Sequence, residues 1–277
     1  MQNAKYEVVS SDQVITPCGT TLRRVRALRD IPMYGVKAGD LGGYIESEAN
    51  LSQSGDCWVG GQARVWQGAR VNDCAIIKDH AQASGNAALM DFALMDGYTT
   101  VTDFAQLRHW AAMTDRASAS GGVILENSVR AADSSIVRGL AHLSGDVRLF
   151  DSAQVYGKAH LRDRAWAFGF CRIGGEAQLS GSVMVFASAR IAGRATLMGD
   201  VCVFGEVSIS GDVVLDGMEQ IGGNAIITDG WYGVTDSLTR QVHKERLSAN
   251  NSTFNFKIRH SLYGRDNLPC ILRSNAL

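Results

Sequence analysis

Ser152-Ala-Gln-Val-Tyr-Gly157, Lys158-Ala-His-Leu-Arg-Asp163 and, further on, Arg194-Ala-Thr-Leu-Met-Gly199 follow one six-residue plan. A small residue stands second, an apolar one fourth, and Gly or Asp sixth. Extended in both directions, the plan divides Asp56 to Asp229 into 29 hexads without interruption. The fourth position is apolar in all 29, in a chain that is 45% apolar. Chance would give that run with a probability on the order of 10⁻¹⁰, so the frame is real. The second position holds 17 Ala, 7 Val and 2 Cys, with Thr99, Ser135 and Glu219 as departures. The sixth holds 16 Gly, 9 Asp and one Asn.

Each bias has a physical cause. Positions two and four share a parity, so in an extended segment they point to the same side. A small and a large residue on one inner face suit a narrow core. Position six collects residue types that tolerate positive φ, as a tight corner demands. Every hexad is therefore a short strand and a turn, wound into a β-helix.

A longer period sets the coil. Phe150, Phe168, Phe186 and Phe204 recur at every third hexad, always in position five. Lys158, Glu176, Arg194 and Asp212 recur at every third hexad in position one, alternating in charge. Three hexads per coil satisfies both ladders, and 29 hexads make nearly ten coils. At roughly 4.8 Å per stacked strand the prism is about 46 Å tall. The expected fold is all-β: a single-stranded parallel β-helix with a cap at each end.

Composition narrows the function classes. The 277 residues carry 27 basic against 28 acidic side chains, without the basic surplus of an electrostatic nucleic-acid binder. No apolar run approaches the roughly twenty residues of a membrane span. The start leads into no apolar signal segment, which makes the cytoplasm the expected location. Six cysteines (18, 57, 74, 171, 202, 270) show no CxxC and read as reduced thiols. There is no GxxxxGK[ST], HExxH, GxSxG or dinucleotide-binding fingerprint.

Unpaired strand edges at the ends of a β-helix need covering. Residues 1–55 are charge-balanced and read as a β-rich cap, with extended candidates at Tyr6–Val9 and Leu22–Leu28 and glycine turns at Gly35, Gly39 and Gly42-Gly43. The frame slips by two residues at Ser54-Gly55, where cap becomes coil. Residues 56–229 form the coil and carry 14 basic and 19 acidic side chains. Residues 230–277 carry seven basic and three acidic and read as a mixed cap. In it Asp236 can cap a short helix through about Leu247. Phe254, Phe256 and Ile258 then alternate with Asn255, Lys257 and Arg259, a strand with one apolar and one basic face. This cap either docks on the acidic coil or offers a basic surface to an anionic ligand.

Three-hexad coils resemble the left-handed β-helix of the hexapeptide-repeat acyltransferases. The lead-in Leu41-Gly42-Gly43-Tyr44-Ile45-Glu46, with Asn50-Leu51-Ser52 and Gly55-Asp56-Cys57-Trp58-Val59, is similar to the YdcK-like proteins of enteric bacteria and related phage-borne repeat proteins. The resemblance implies acetyl transfer, with acetyl-CoA as co-substrate, no covalently bound cofactor, and a homo-oligomer, a trimer in that family. Two features depart from it. Here Gly or Asp stands one place later than the family pattern has it, which keeps a right-handed coil as the rival. No loop breaks the 29 hexads to supply functional residues, which favours a non-catalytic scaffold that binds a partner or self-assembles.

Candidate residues follow. His109 sits at a corner position otherwise given to Gly and Asp, with Asp91 one coil before it and Asn127 one coil after. A carboxylate beside imidazole would orient it as the general base that the resemblance implies; equally, His tolerates positive φ and can simply fill a corner. Lys257 and Arg259 are the candidates for the phosphates of coenzyme A. Position five has outward parity, so Phe150, Phe168, Phe186 and Phe204, with Trp166 from position three, form a surface stripe expected to meet a partner subunit or the C-terminal strand. The alternative is that position five turns inward. His142 and His160 stack one coil apart, but no third ligand completes a metal site. Asp115, Asp133 and Asp151 stack at one corner, where Arg116, Arg130 and Arg148 are the expected counter-charges.

Overall fold

A computed structural model describes residues 4–232. The hexads build three long sheets. The first has 13 strands, three from the N-terminal cap and ten from the coils; the second and third have 10 strands each. Each coil strand pairs in parallel with the strand three hexads further on, as in Leu94↔Ala112, Gln106↔Ile124 and Gln154↔Arg172. The molecule is a parallel β-solenoid with three hexads to a coil.

Backbone hydrogen bonding follows the hexad. Main-chain N–H groups of positions one, three and five donate to carbonyls of the next coil: Gln62 to Asp79 (2.7 Å), Arg64 to Ala81 (3.0 Å), Trp66 to Ala83 (3.1 Å). At the turn, the N–H of position two reaches the carbonyl three residues back, as from Ala63 to Gly60 (3.1 Å). Positions two and four fill the interior without access to water, from Ala63 and Val65 to Val213 and Leu215. Position six takes positive φ from Gly61 to Gly223, in Asp73 (55°), His109 (56°) and Ala187 (59°) as well as in glycine.

Positions three and five point outward. Trp166, Phe168, Met184, Phe186, Cys202 and Phe204 form a separate apolar cluster on the outside of the second sheet, distinct from the core. The inward alternative for the Phe ladder is thereby set aside.

The N-terminal segment forms an antiparallel meander of β1 (Tyr6–Ile15), β2 (Thr21–Ala27) and β3 (Leu41–Ile45). Gly42 and Gly43 are not a turn. They lie inside β3, which pairs in parallel with the first coil through Tyr44↔Arg64 and Ile45↔Val65. The reason is steric: a Cβ on Gly42 would come within 2.6 Å of Val25 Cγ2, and one on Gly43 within 2.8 Å of Val59 Cγ1. Partners in that pairing, and in the Leu51↔Val71 bridge, stand two positions further apart than coil partners do, which is the frame slip seen from the structure. Lys5 closes the end. Fully buried, it donates from Nζ to the Cys57 carbonyl (2.8 Å) and lies 3.0 Å from Cys57 Sγ.

At the other end Trp231–Tyr232 pairs with Val214–Leu215 in the third sheet. The proposed helix from Asp236, the Phe254–Ile258 strand, Lys257 and Arg259 lie outside the described residues.

Candidate functional site

The corner holding His109 is built by a side-chain ladder. The position-six N–H is not among the amides that donate along the ladder described above, and in these coils a Gln, Asp or His side chain at position six one coil earlier accepts it. Asp91 N–H donates to Asp73 Oδ2 (3.2 Å), His109 N–H to Asp91 Oδ2 (2.9 Å), and Asn127 N–H to His109 Nδ1 (3.3 Å). The structure thus brings Asp91 and His109 together, with the Asp91 carboxylate on the main chain of His109. The imidazole itself takes the acceptor place that a carboxylate holds in other coils. Accepting at Nδ1 puts the proton of the neutral ring on Nε2.

The same device explains the stack Asp115, Asp133, Asp151. Their Oδ2 atoms accept from the main chain of Asp133 (3.3 Å), Asp151 (2.9 Å) and Gly169 (2.9 Å). The expected arginine counter-charges are a correction: Arg148 pairs instead with Asp146 (3.2 Å) and lies over the Trp166 ring at 5.0 Å. Position six collects Asp because its carboxylate satisfies an amide that glycine cannot.

His142 and His160 are register partners with ring centroids 5.7 Å apart, and Gln178 continues the ladder. His142 Nε2 lies 2.9 Å from Glu126 Oε1. Among the described residues no group of three His, Cys, Asp or Glu side chains could hold a metal ion.

The Phe ladder is stacked and largely withdrawn from water. Phe168 and Phe186 lie 4.8 Å apart at 3°, Phe186 and Phe204 5.4 Å apart at 11°. Phe186 exposes only 7% of its surface. Phe150 stands one coil earlier in the same column, half-buried. The open apolar surface is elsewhere, at residues the hexad reading passed over. Phe92, Tyr98, Phe104 and Trp110 occupy position one of four consecutive hexads, and all four are exposed, Trp110 by 62%. Phe92 stacks on Trp110 at 4.2 Å and 4°, and His80 on Tyr98 at 4.7 Å and 5°. The signal was in the sequence as an aromatic residue at position one of hexad after hexad.

No helix among the described residues is long and apolar enough to cross a membrane. No protein-family model matches the chain, and no curated protein matches it significantly. This is a β-solenoid of three-hexad coils.

Proposed function

We propose that this protein is a non-catalytic scaffold that assembles side by side with copies of itself through its aromatic corners. One observation carries the reading: Phe92, Tyr98, Phe104 and Trp110 place exposed rings at all three corners of the prism within a single coil's height. Rings of this size dominate interface energetics, and clustered apolar surface marks contact sites. Parallel neighbours can meet such a belt one corner each, whereas a ligand in a single cleft would use one side. Solution mass tests it. The wild type is expected at a multiple of 29.8 kDa, and the folded Phe104→Ser, Trp110→Ser double variant at the single-chain mass. A monomeric wild type, or an unchanged oligomer in the variant, overturns the reading.

A second reading is acetyl-CoA-dependent acyl transfer in the cytoplasm, in a cleft between subunits of a YdcK-like trimer. It is supported by the three-hexad coil and by the exposed imidazole of His109 beside Asp91. Lys257 and Arg259 would then meet the phosphates. The geometry at His109 ranks this reading second: a base acting at Nε2 needs the other tautomer and gives up the Asn127 bond. Calorimetric titration of acetyl-CoA into wild type and His109→Ala decides it. No heat at millimolar ligand overturns transfer; retained turnover in the variant overturns only the choice of His109.

A further inference from the structure

Arg172 and Arg190 stand at position three of consecutive coils on the outside of the first sheet, in direct register. Stacked strands lie roughly 4.8 Å apart, so two permanently charged guanidinium groups leave the sheet side by side. Like charges in register destabilise a sheet. Elsewhere this protein relieves that cost: by alternation, with Lys158 on Glu176, Arg194 on Asp212 and Lys78 on Asp96, and at the in-register pair Arg130 and Arg148 by Asp146 on Arg148. Among the described residues, neither Arg172 nor Arg190 has an ion-pair partner.

The face offers one acid, Glu206 on the coil after Arg190, and it forms no ion pair with Arg190. The other outward positions of these two hexads and of the one a coil before them are Ser, Gln, Tyr, Phe, Gly and Ala. The nearest acids sit at the corners. Asp151 already accepts the Gly169 amide, Glu176 and Asp212 are paired, and Glu206 lies one coil beyond Ser188.

Aromatic groups flank the pair. The Tyr156 ring lies over Gly174, where a Cβ would come within 2.6 Å of it, and Arg138 sits 5.6 Å from the centroid of that ring. On the other flank Phe170, two residues before Arg172 and of the same outward parity, exposes 72% of its surface.

We propose that Arg172 and Arg190 form a binding site for a diphosphate group, with Phe170 as platform for a ring attached to it. Two guanidinium forks can each donate bidentately to one phosphoryl group, and an exposed phenyl face takes a base by stacking. The bound anion removes the like-charge cost that the free protein carries. This site is independent of the aromatic belt at the corners of the earlier coils.

The test titrates sodium pyrophosphate into full-length wild type, Arg172→Gln and Arg190→Gln by calorimetry, at an ionic strength fixed with sodium chloride. Each substitution is expected to weaken binding about tenfold or more, the worth of one charge-assisted pair. Pyrophosphate is expected to raise the wild-type melting midpoint above that in chloride of equal ionic strength. Without anion, both variants are expected to melt no lower than wild type, which separates lost binding from lost folding. A second arm replaces pyrophosphate by ADP. Tighter ADP binding that Phe170→Ala abolishes assigns the site to a nucleoside diphosphate; equal affinities assign it to the bare diphosphate. Variants that bind pyrophosphate as wild type does, or a midpoint that follows ionic strength alone, overturn the proposal.

Discussion

Thr99 and Ser135 stand at the inner second position without access to water, and neither hydroxyl has a hydrogen-bond partner. A buried unsatisfied hydroxyl costs about 1–3 kcal/mol. Val occupies the same position in seven hexads and Ala in 17, so the space admits either. Thr99→Val and Ser135→Ala are each expected to raise stability by roughly 1 kcal/mol, read as a higher urea midpoint. The buried thiols set a pH dependence. Burial pushes Cys171 and Cys202 up to about 12, and raises Cys57 as well, against the opposing pull of Lys5. In the unfolded chain a thiol releases its proton near pH 8.5. The folded state holds it longer, so this contribution is fully present below about pH 8.5 and falls away as pH rises towards 12. The slope is at most about 1.4 kcal/mol per pH unit for each thiol. Unfolding midpoints at pH 7 and pH 10 should show the loss in wild type and a smaller loss in Cys171→Ala.

At the scale of elements, β3 shows why a cap strand can join a solenoid. Its two glycines let the backbone lie directly on the first coil, so the antiparallel meander continues the parallel sheet without a seam. Gly43→Ala forces a methyl against Val59 and the main chain of Ala63. Overpacking of this kind costs roughly 1–3 kcal/mol, and the loss should appear first as faster amide exchange in β1 to β3. The charged ladder at position one behaves differently. Lys158–Glu176 is more than half exposed on both sides, so Glu176→Gln is expected to cost less than about 1 kcal/mol by thermal melting.

For the whole molecule, the coil is the unit of stability. Neighbouring coils meet only their neighbours, so stability is a sum of repeat and interface terms. Excising Ser152–Gly169, three consecutive hexads and so one full coil, returns every ladder to register. That variant is expected to keep a cooperative melt and a β-type circular dichroism spectrum. Excising Ser152–Gln154 alone shifts the parity of everything that follows, drives inner residues outward and should abolish the melt. Persistence of the fold after the shorter excision would contradict the hexad frame as the determinant of the core.

Parity and period were legible in the chain because they act locally. An extended backbone alternates its side chains whatever lies around it, and a corner selects Gly, Asp or His by its φ alone. Those two facts determine the hexad, the inner column from Cys57 to Ile221 and the outward parity of the Phe ladder, and the recurrence of that ladder at every third hexad determines the coil length. What a local rule does not contain is the neighbour one coil away. Only stacking revealed that Asp91 serves the main chain of His109, that Asp133 serves an amide where an arginine was expected, and that Gly42 and Gly43 are a strand. The same holds for Arg172 beside Arg190: their spacing of three hexads is written in the sequence, but that neither forms an ion pair among the described residues is a property of the whole face. The chain by itself determines which way each side chain points; tertiary structure decides which group it meets, because hydrogen bonds and charges act across coils and not along them.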